Sequence, residues 1–178
     1  MTRKLYLIRH TAVAVPPGIC YGRSDVPLRE SPALHAASLR SRLPAQVRIV
    51  SSPLSRCRLL AEAFGQVELD ARFAEMDFGD WEGQAFSALP RDAIDAWAQA
   101  PLDFAMPGGE SGARVIVRVL AALDELLARD EDAIIVSHGG PLRIIVGHLT
   151  GLPREEWLQT DMAVGALRVL TQRDTVWE

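Results

Sequence analysis

The sequence predicts an α/β fold, an α/β sandwich with a largely parallel central sheet. Short runs of Val, Ile and Leu alternate with helical patterns along the chain, as in proteins whose strands are covered by helices on both faces. Runs such as 5–8 and 133–137 lack the alternation of a half-exposed strand, which is typical of buried parallel strands. The length of 178 residues suits one domain, which we place over 1–178.

The helices are predicted from the residues that begin and end them. Proline is favoured in the first turn of a helix, so Pro53 and Pro141 each open one, and Gly65 closes the first. Ser111 is expected to cap a longer helix that ends near Ala128. The predicted strands lie at 5–8, 47–51, 67–69, 133–137 and 164–170.

The stretch from about residue 75 to residue 110 departs from this alternation. It combines aromatic residues with prolines and the run Pro107-Gly108-Gly109, around a short helical piece near Trp97. We expect this insertion to cover the edge of the sheet and to form one wall of a site. A packing excursion without a functional role is the alternative.

Composition and charge argue against several classes of function. The formal net charge of −4 is unlike that of a general binder of nucleic acid or of anionic membranes. The two cysteines, Cys20 and Cys57, form neither a disulfide framework nor a zinc motif. The start of the chain lacks the apolar core of a signal peptide, and no stretch approaches the ~20 apolar residues of a membrane span. We therefore expect a cytoplasmic protein without a cofactor or a metal.

Three strand ends carry a histidine or an arginine. Arg9 and His10 follow the first strand directly. His138 ends the fourth strand, and Arg56 lies at the start of the helix after the second. Ligands of open α/β sheets bind beyond the carboxyl ends of the strands, so these side chains are expected to meet at one rim. The helix starts after the second and fourth strands should add free backbone N–H donors, which predicts a phosphate cradle with a histidine on each side.

Such a cradle suits phosphoryl transfer. A neutral imidazole can attack phosphorus at neutral pH, while a second one stabilises the oxygens over which charge spreads. The leaving alkoxide also needs a proton, and the carboxyl groups of the expected wall are the candidates. These are Glu75, Asp77, Asp80 and Glu82.

Other chemistries fit the sequence less well. Neither cysteine is followed six residues later by an arginine, as the Cys-x5-Arg loop of tyrosine phosphatases requires. The chain has no G-x-S-x-G elbow, no Walker A motif, no G-x-G-x-x-G run after a strand and no HExxH-type metal motif. His35 and His148 are interpreted as structural or solvated, and Cys57 as a small core residue.

Five segments together form a specific pattern. They are Leu-Ile-Arg-His at 7–10, Ser-Ser-Pro-Leu-Ser-Arg at 51–56, Glu-Met-Asp-Phe-Gly-Asp-Trp-Glu-Gly at 75–83, Pro-Gly-Gly-Glu-Ser at 107–111 and Val-Ser-His-Gly-Gly at 136–140. In these segments and in their order, the chain resembles the histidine phosphatase superfamily, in its phosphoglycerate-mutase-like branch.

The resemblance implies a role for each residue of the cradle. His10 would be the residue that is phosphorylated, and Glu75 the proton donor. The phosphate-binding core would consist of Arg9, Arg56 and His138. The resemblance also implies the three-layer α/β/α fold and catalysis without a metal.

A more local resemblance concerns the segment from 18 to 28, which is similar to the corresponding segment of α-ribazole phosphatases. It implies that Tyr21 and Arg23 bind substrate, together with Gly139 beside the second histidine. The chain departs from the family's pattern at Pro16, where an Asn that contacts phosphate is common. We expect that contact to be missing or to come from residue 23 or 24.

These observations favour a phosphomonoesterase that hydrolyses a small phosphorylated metabolite through a phosphohistidine. The suggested substrate is α-ribazole 5′-phosphate, of cobalamin synthesis. Two alternatives stay open: a 2,3-bisphosphoglycerate-dependent phosphoglycerate mutase, and a non-catalytic module that binds a phosphorylated ligand. The chain is shorter than the mutases that it resembles, which carry longer insertions around the site. No nucleic-acid or membrane partner is expected, and a homodimer is compatible with the sequence.

Overall fold

One mixed sheet forms the centre of the molecule. Within residues 2–178, the part of the chain that the structure describes, the computed structural model has six strands. They are β1 (Arg3–Arg9), β2 (Arg48–Ser51), β3 (Glu68–Leu69), β4 (Ala133–Ser137), β5 (Leu167–Arg173) and β6 (Val176–Trp177). The strand order is β3-β2-β4-β1-β5-β6, in which the first four strands are parallel and the last two pair in antiparallel fashion.

Helices connect and cover these strands. The same residues contain five α-helices, besides several short 3₁₀ turns. They are α1 (Ala33–Leu39), α2 (Ser55–Glu62), α3 (Arg91–Gln99), α4 (Gly112–Leu127) and α5 (Gly139–Leu149).

The sheet separates two apolar layers. Successive residues of a strand point to opposite faces, so Leu7 and Ile8 of β1 belong to different layers. Leu7 packs in the layer that contains Leu123 of α4 and the apolar face of α5. Ile8 packs in the layer that contains Leu60 of α2 and the buried residues of α1. The expected α/β sandwich with a largely parallel sheet is thereby confirmed.

The register of the parallel strands brings three chain segments to one edge. Arg9 at the end of β1 pairs with Ser137 at the end of β4. Ser51 at the end of β2 pairs with Val136 of β4. Because all three strands run in the same direction, the residues that follow them meet at the same rim.

Several element boundaries differ from the predicted ones; for example, α5 begins at Gly139 rather than at Pro141, and β1 spans Arg3–Arg9 rather than 5–8. Helix α2 begins at Ser55 rather than at Pro53. At this helix start, the Asp25 carboxylate accepts hydrogen bonds from the backbone N–H and the hydroxyl of Ser55, at 2.8 and 2.7 Å. Strand β5 begins at Leu167 rather than at residue 164. Gly165 has a φ of 75° there, in the left-handed region, which an extended strand does not accommodate.

Candidate active site

The candidate site lies at the rim where the parallel strands end. His10 directly follows β1, and its backbone N–H donates to the Ser137 carbonyl oxygen at 3.1 Å. His138 follows β4 and is the residue before α5. The Ser52 N–H donates to the Val136 carbonyl oxygen at 3.0 Å, which ties the segment leading to α2 to the same strand. As a result, the two imidazole rings lie side by side with their centres 5.2 Å apart.

His10 is held as a neutral imidazole. Only 2% of the residue is exposed. Its Nδ1 lies 2.8 Å from the carbonyl oxygen of Thr11, which can only accept, so the proton is on Nδ1 and the lone pair is on Nε2. Burial lowers the pKa of His10 to about 4 against the opposing effect of this hydrogen bond, and the nearby Arg56 and Arg9 guanidinium groups lower it further. At neutral pH the Nε2 lone pair is therefore available to attack an electrophile.

Arg56 is fully buried beside the second histidine. Its Nε donates to His138 Nδ1 at 3.2 Å, and its terminal nitrogens donate to the carbonyl oxygens of Ser24 and Gly22 at 2.8 and 2.5 Å. The guanidinium carbon also lies 5.2 Å from the centre of the Tyr21 ring. Contacts with described residues thus occupy three of its five N–H groups, and the other two have no partner among those residues.

The bond from Arg56 fixes the tautomer of His138. Because Nδ1 accepts, the proton of the neutral ring is on Nε2, which lies 2.8 Å from the Ser52 hydroxyl oxygen and 3.3 Å from the Cys57 sulfur. Burial lowers the pKa of His138 well below its usual value, and the Arg56 charge acts in the same direction. His138 is therefore a neutral hydrogen-bond donor at the rim.

Arg9 supplies the second cation. One of its terminal nitrogens donates to the Met162 carbonyl oxygen at 2.7 Å. Its Nε is buried and has no hydrogen-bond partner among residues 2–178. An unpaired buried donor costs free energy, which an anion bound at this position would recover.

Glu75 reaches the same rim from the wall. Its carboxylate accepts a hydrogen bond from the Gly140 N–H at 3.3 Å and from the Met76 N–H at 3.0 Å. A Cβ atom on Gly140 would lie 2.5 Å from Glu75 Oε1, so a side chain at this position would displace the Glu75 carboxylate. The carboxyl group is half-buried next to the cradle.

A partly buried ion pair holds the backbone around Glu75. Arg118 of α4 donates to the carbonyl oxygens of Arg72, Ala74 and Glu75 at 2.6, 2.7 and 3.1 Å. Its guanidinium also binds both oxygens of the Glu110 carboxylate, at 2.8 and 2.9 Å. We call Arg118 and Glu110 the clamp, since together they hold the segment that carries Glu75.

Glu82 has a different environment from Glu75. Its carboxylate accepts hydrogen bonds from the backbone N–H groups of Arg23, Ser24 and Phe78 at 2.7, 2.7 and 3.0 Å, and from the Ser24 hydroxyl. Glu82 thus joins the segment of residues 22–24 to the wall. Of these two carboxyl groups, Glu75 is the one that contacts the start of α5.

The family described as the histidine phosphatase superfamily (branch 1) matches residues 5–178 of this chain. The chain belongs to the histidine phosphatase superfamily. It is 31% identical over 177 residues to the glucosyl-3-phosphoglycerate phosphatase of Mycolicibacterium vanbaalenii, an alignment that covers 87% of this chain and 77% of the relative. It is 33% identical over 165 residues to a probable phosphoglycerate mutase of an Enterobacter species, with 84% and 76% covered.

Solved structures agree on the fold. The crystal structure of the α-ribazole phosphatase from Shigella flexneri superposes with a TM-score of 0.85 at 24% identity, covering 98% of this chain and 93% of that one. The family and its phosphatase relatives make this chain a phosphatase that acts on small phosphorylated substrates.

The remaining predicted substrate contacts of this histidine phosphatase lie near Arg56. Tyr21 packs against the guanidinium, whereas Arg23 is exposed and its side chain makes no hydrogen bond with the described residues. Pro16 is exposed as well, and the hydroxyl of Ser24 is bound to the wall. Of the two residues expected to replace the family's Asn, only Arg23 keeps its polar side-chain atoms free.

The helix starts of the phosphatase are less open than expected. The first N–H of α2, on Ser55, is bound by Asp25, and the N–H of Gly140 in α5 is bound by Glu75. The backbone N–H groups of Arg56 in α2 and Gly139 in α5 have no hydrogen-bond partner among residues 2–178. The expected donors at the two helix starts are thus fewer, and their contact with phosphate remains a prediction.

The other two histidines lie outside the cradle. His35 Nε2 lies 2.8 Å from the carbonyl oxygen of Gly165, whose N–H donates to the His10 carbonyl oxygen at 3.0 Å. His148 is exposed and meets the Trp157 ring edge-on, with the ring centres 6.2 Å apart. These contacts agree with the structural reading of His35 and the solvated reading of His148.

The described residues contain neither a metal-binding cluster nor a membrane-spanning helix. Residues 2–178 contain no group of three or more His, Cys, Asp or Glu side chains placed to hold a metal ion. In the same range, no helix has the length and apolar character that crossing a membrane requires. Activity without a metal remains a prediction.

Sequence reasoning missed the contacts that hold the site together. Asp25, Arg118 and Glu110 act on residues that are distant in the chain, as the 43 positions between Arg118 and Glu75 show. A local pattern carries no signal for such a pairing. An arginine on the inward face of a helix that begins beside the wall was the one available indication.

Proposed function

We propose that this phosphatase hydrolyses phosphomonoesters through a phosphohistidine formed on His10. The observation that carries the proposal is the neutral, buried His10, whose Nδ1 is occupied by Thr11 and whose Nε2 is free beside Arg9, Arg56 and His138. A nucleophile without charge, surrounded by cationic and neutral donors, suits attack on a phosphate dianion.

In the first step, the His10 Nε2 lone pair forms a bond to phosphorus as the bond from phosphorus to the alcohol oxygen breaks. Arg9, Arg56 and His138 stabilise the equatorial oxygens during the transfer. Glu75, in its protonated form, gives its proton to the departing alkoxide. In the second step, water attacks phosphorus and Glu75 accepts a proton from it. Inorganic phosphate leaves, and His10 regains its lone pair.

We propose α-ribazole 5′-phosphate as the substrate. The segment of residues 18–28, which is similar to that of α-ribazole phosphatases, lies against the cradle: Gly22 and Ser24 accept hydrogen bonds from Arg56, and Tyr21 packs on it. These contacts support a role of this segment next to the phosphate, where a nucleoside monophosphate would be recognised.

A substrate panel tests this proposal. We expect kcat/KM for α-ribazole 5′-phosphate to exceed that for phosphoserine, 3-phosphoglycerate and ordinary nucleoside 5′-monophosphates. Preference for another monoester would reject α-ribazole 5′-phosphate as the substrate and would still agree with phosphatase activity.

The mutase is the second candidate, because a relative with 33% identity is named a probable phosphoglycerate mutase. It predicts that 3-phosphoglycerate is converted to 2-phosphoglycerate in the presence of 2,3-bisphosphoglycerate, faster than phosphate is released. Phosphate release without isomerisation would reject it.

A further inference from the structure

A mostly apolar chamber opens beside the phosphate cradle. Its volume is about 250 Å³. Arg9 and Glu75 line it together with Gly139 and Gly140, so the chamber shares residues with the cradle. Its apolar walls include Met76, Phe78, Trp97, Leu102, Val115 and Ile144.

The leaving group of a substrate has few other directions in which to extend. His10 is 2% exposed, and Arg56 and His138 are fully buried, so the protein closes the cradle on their side. The proposed proton donor, Glu75, lines the chamber. Since a proton donor must lie next to the leaving oxygen, the carbon atoms attached to that oxygen extend towards the chamber.

The charged residues of the chamber lie together at its phosphate end. A Cβ atom on Gly139 would lie 2.9 Å from a terminal nitrogen of Arg143 and 3.1 Å from the guanidinium carbon of Arg9. The two arginines therefore lie over the same backbone, and Arg143 is anchored there by a 2.8 Å bond from its Nε to the Thr160 carbonyl oxygen. The other lining residues, among them Trp97 of α3 and Pro101 and Leu102 in the turn after it, are apolar.

The apolar wall is fixed before any ligand binds. Trp97 meets the rings of Phe78 and Trp81 edge-on, each at 5.9 Å between ring centres, and stacks on Phe86 at 6.0 Å. An aromatic cluster of this kind loses little conformational freedom when a ring packs against it. Preformed apolar pockets with a few polar groups at one end are typical of small-molecule sites.

We propose that this chamber binds the leaving group and selects alcohols with an apolar ring, such as an aryl-alkyl alcohol or a benzimidazole nucleoside, over small polar or carboxylated alcohols. This inference rests on the proposed function. It names the class of alcohol that the same site accepts as the leaving group. It holds whether or not α-ribazole 5′-phosphate is the substrate.

Two phosphates with similar leaving-group basicity test the proposal. We expect 3-phenylpropyl phosphate to be hydrolysed with a kcat/KM about 10- to 100-fold above that of propyl phosphate, the range that burial of a phenyl group provides. Phosphoserine and 3-phosphoglycerate should be no better than propyl phosphate. Equal rates for the phenylpropyl and propyl esters, or a preference for the carboxylated esters, would overturn the proposal.

A matched pair of variants on α4 locates the effect. Val115 is 3% exposed and lines the chamber, whereas Val117 is 70% exposed on the same helix. Val115→Phe fills the chamber and should lower the ratio of the two kcat/KM values at least about 5-fold, while Val117→Phe should keep the wild-type ratio and rates. Trp97→Ala removes part of the apolar wall and should lower the ratio as well. It is the second variant to use if Val115→Phe does not fold. An unchanged ratio in a folded chamber variant would reject the assignment.

Binding distinguishes this inference from the activity on which it rests. In calorimetry, 3-phenylpropylphosphonate should bind the wild-type protein at least about 10-fold more tightly than propylphosphonate, with Val115→Phe removing most of the difference. If the protein binds in this way but hydrolyses no monoester, the phosphatase proposal fails and the chamber stands. If it hydrolyses both esters but binds both phosphonates equally, the chamber fails and the phosphatase stands.

Discussion

Acidification should destabilise the phosphate-free protein through His10. Its pKa is about 4 in the folded chain, mainly because the ring is buried, against 6.5 for an ordinary histidine. Between these values the unfolded chain binds a proton that the folded chain does not, so the free energy of unfolding falls as pH decreases below 6.5. With these two pKa values, linkage gives a loss of about 2 kcal/mol from His10 between pH 7 and pH 5.

Urea unfolding in phosphate-free buffer at the two pH values measures this loss. His10→Gln removes the titrating ring, so its loss between pH 7 and pH 5 should be smaller than that of the wild type by about 2 kcal/mol. His148→Gln removes an exposed imidazole and is the matched control, expected to show the wild-type loss. His138 adds to the loss in all three proteins, since its pKa is lowered in the same direction. Equal losses in wild type and His10→Gln would refute the assignment of a neutral, buried His10.

Three further outcomes follow from the site. Glu75→Gln should slow hydrolysis of an alkyl phosphate by roughly 100-fold or more but spare p-nitrophenyl phosphate, because the p-nitrophenolate leaving group needs no proton. Steady-state kinetics with both esters measures this difference. If Glu82→Gln shows the dependence instead, the roles of the two residues are exchanged. Arg118→Met should slow hydrolysis of the alkyl phosphate by about 10-fold and again spare p-nitrophenyl phosphate, because the backbone that carries Glu75 loses its support. Arg118→Lys should recover part of the lost rate. Equal slowing of both esters would indicate a general folding defect. Exhaustive EDTA treatment should leave the phosphatase rate unchanged, and restoration of a lost rate by a divalent cation would contradict a mechanism that relies on protein donors alone.

Much of the fold was predictable because its signals are local. The parallel strands β1, β2 and β4 are continuous apolar runs, and the residues that follow each of them could be placed at one rim by topology alone. This placed His10, Arg56 and His138 correctly, without any knowledge of their contacts. Helix α1 was not predicted, since only two of its seven residues are buried and its apolar stripe is weak. Strand β6 was not predicted either, because two residues are too few to show a periodic pattern.

The parts of the site that the sequence did not reveal depend on long-range contacts. The sequence favours Glu75 over Glu82 as the proton donor only through its chain position and the resemblance. The backbone N–H groups that surround each carboxylate could not be predicted from spacing, because the fold brings them there. Arg118 supports Glu75 from two turns inside α4, and Asp25 occupies the start of α2 from a preceding loop. Such pairings arise from tertiary packing and leave no periodic trace in the chain.

The most direct test of the central claim is to trap the covalent intermediate. Protein incubated with a phosphomonoester that carries ³²P, then denatured rapidly, should hold label that is stable to base and labile to acid, as expected for phosphohistidine. Peptide mapping should place the label on His10, and His10→Ala should hold none, while His35→Ala should be labelled as the wild type is. Label that persists in His10→Ala, or that lies on another residue, would contradict the account.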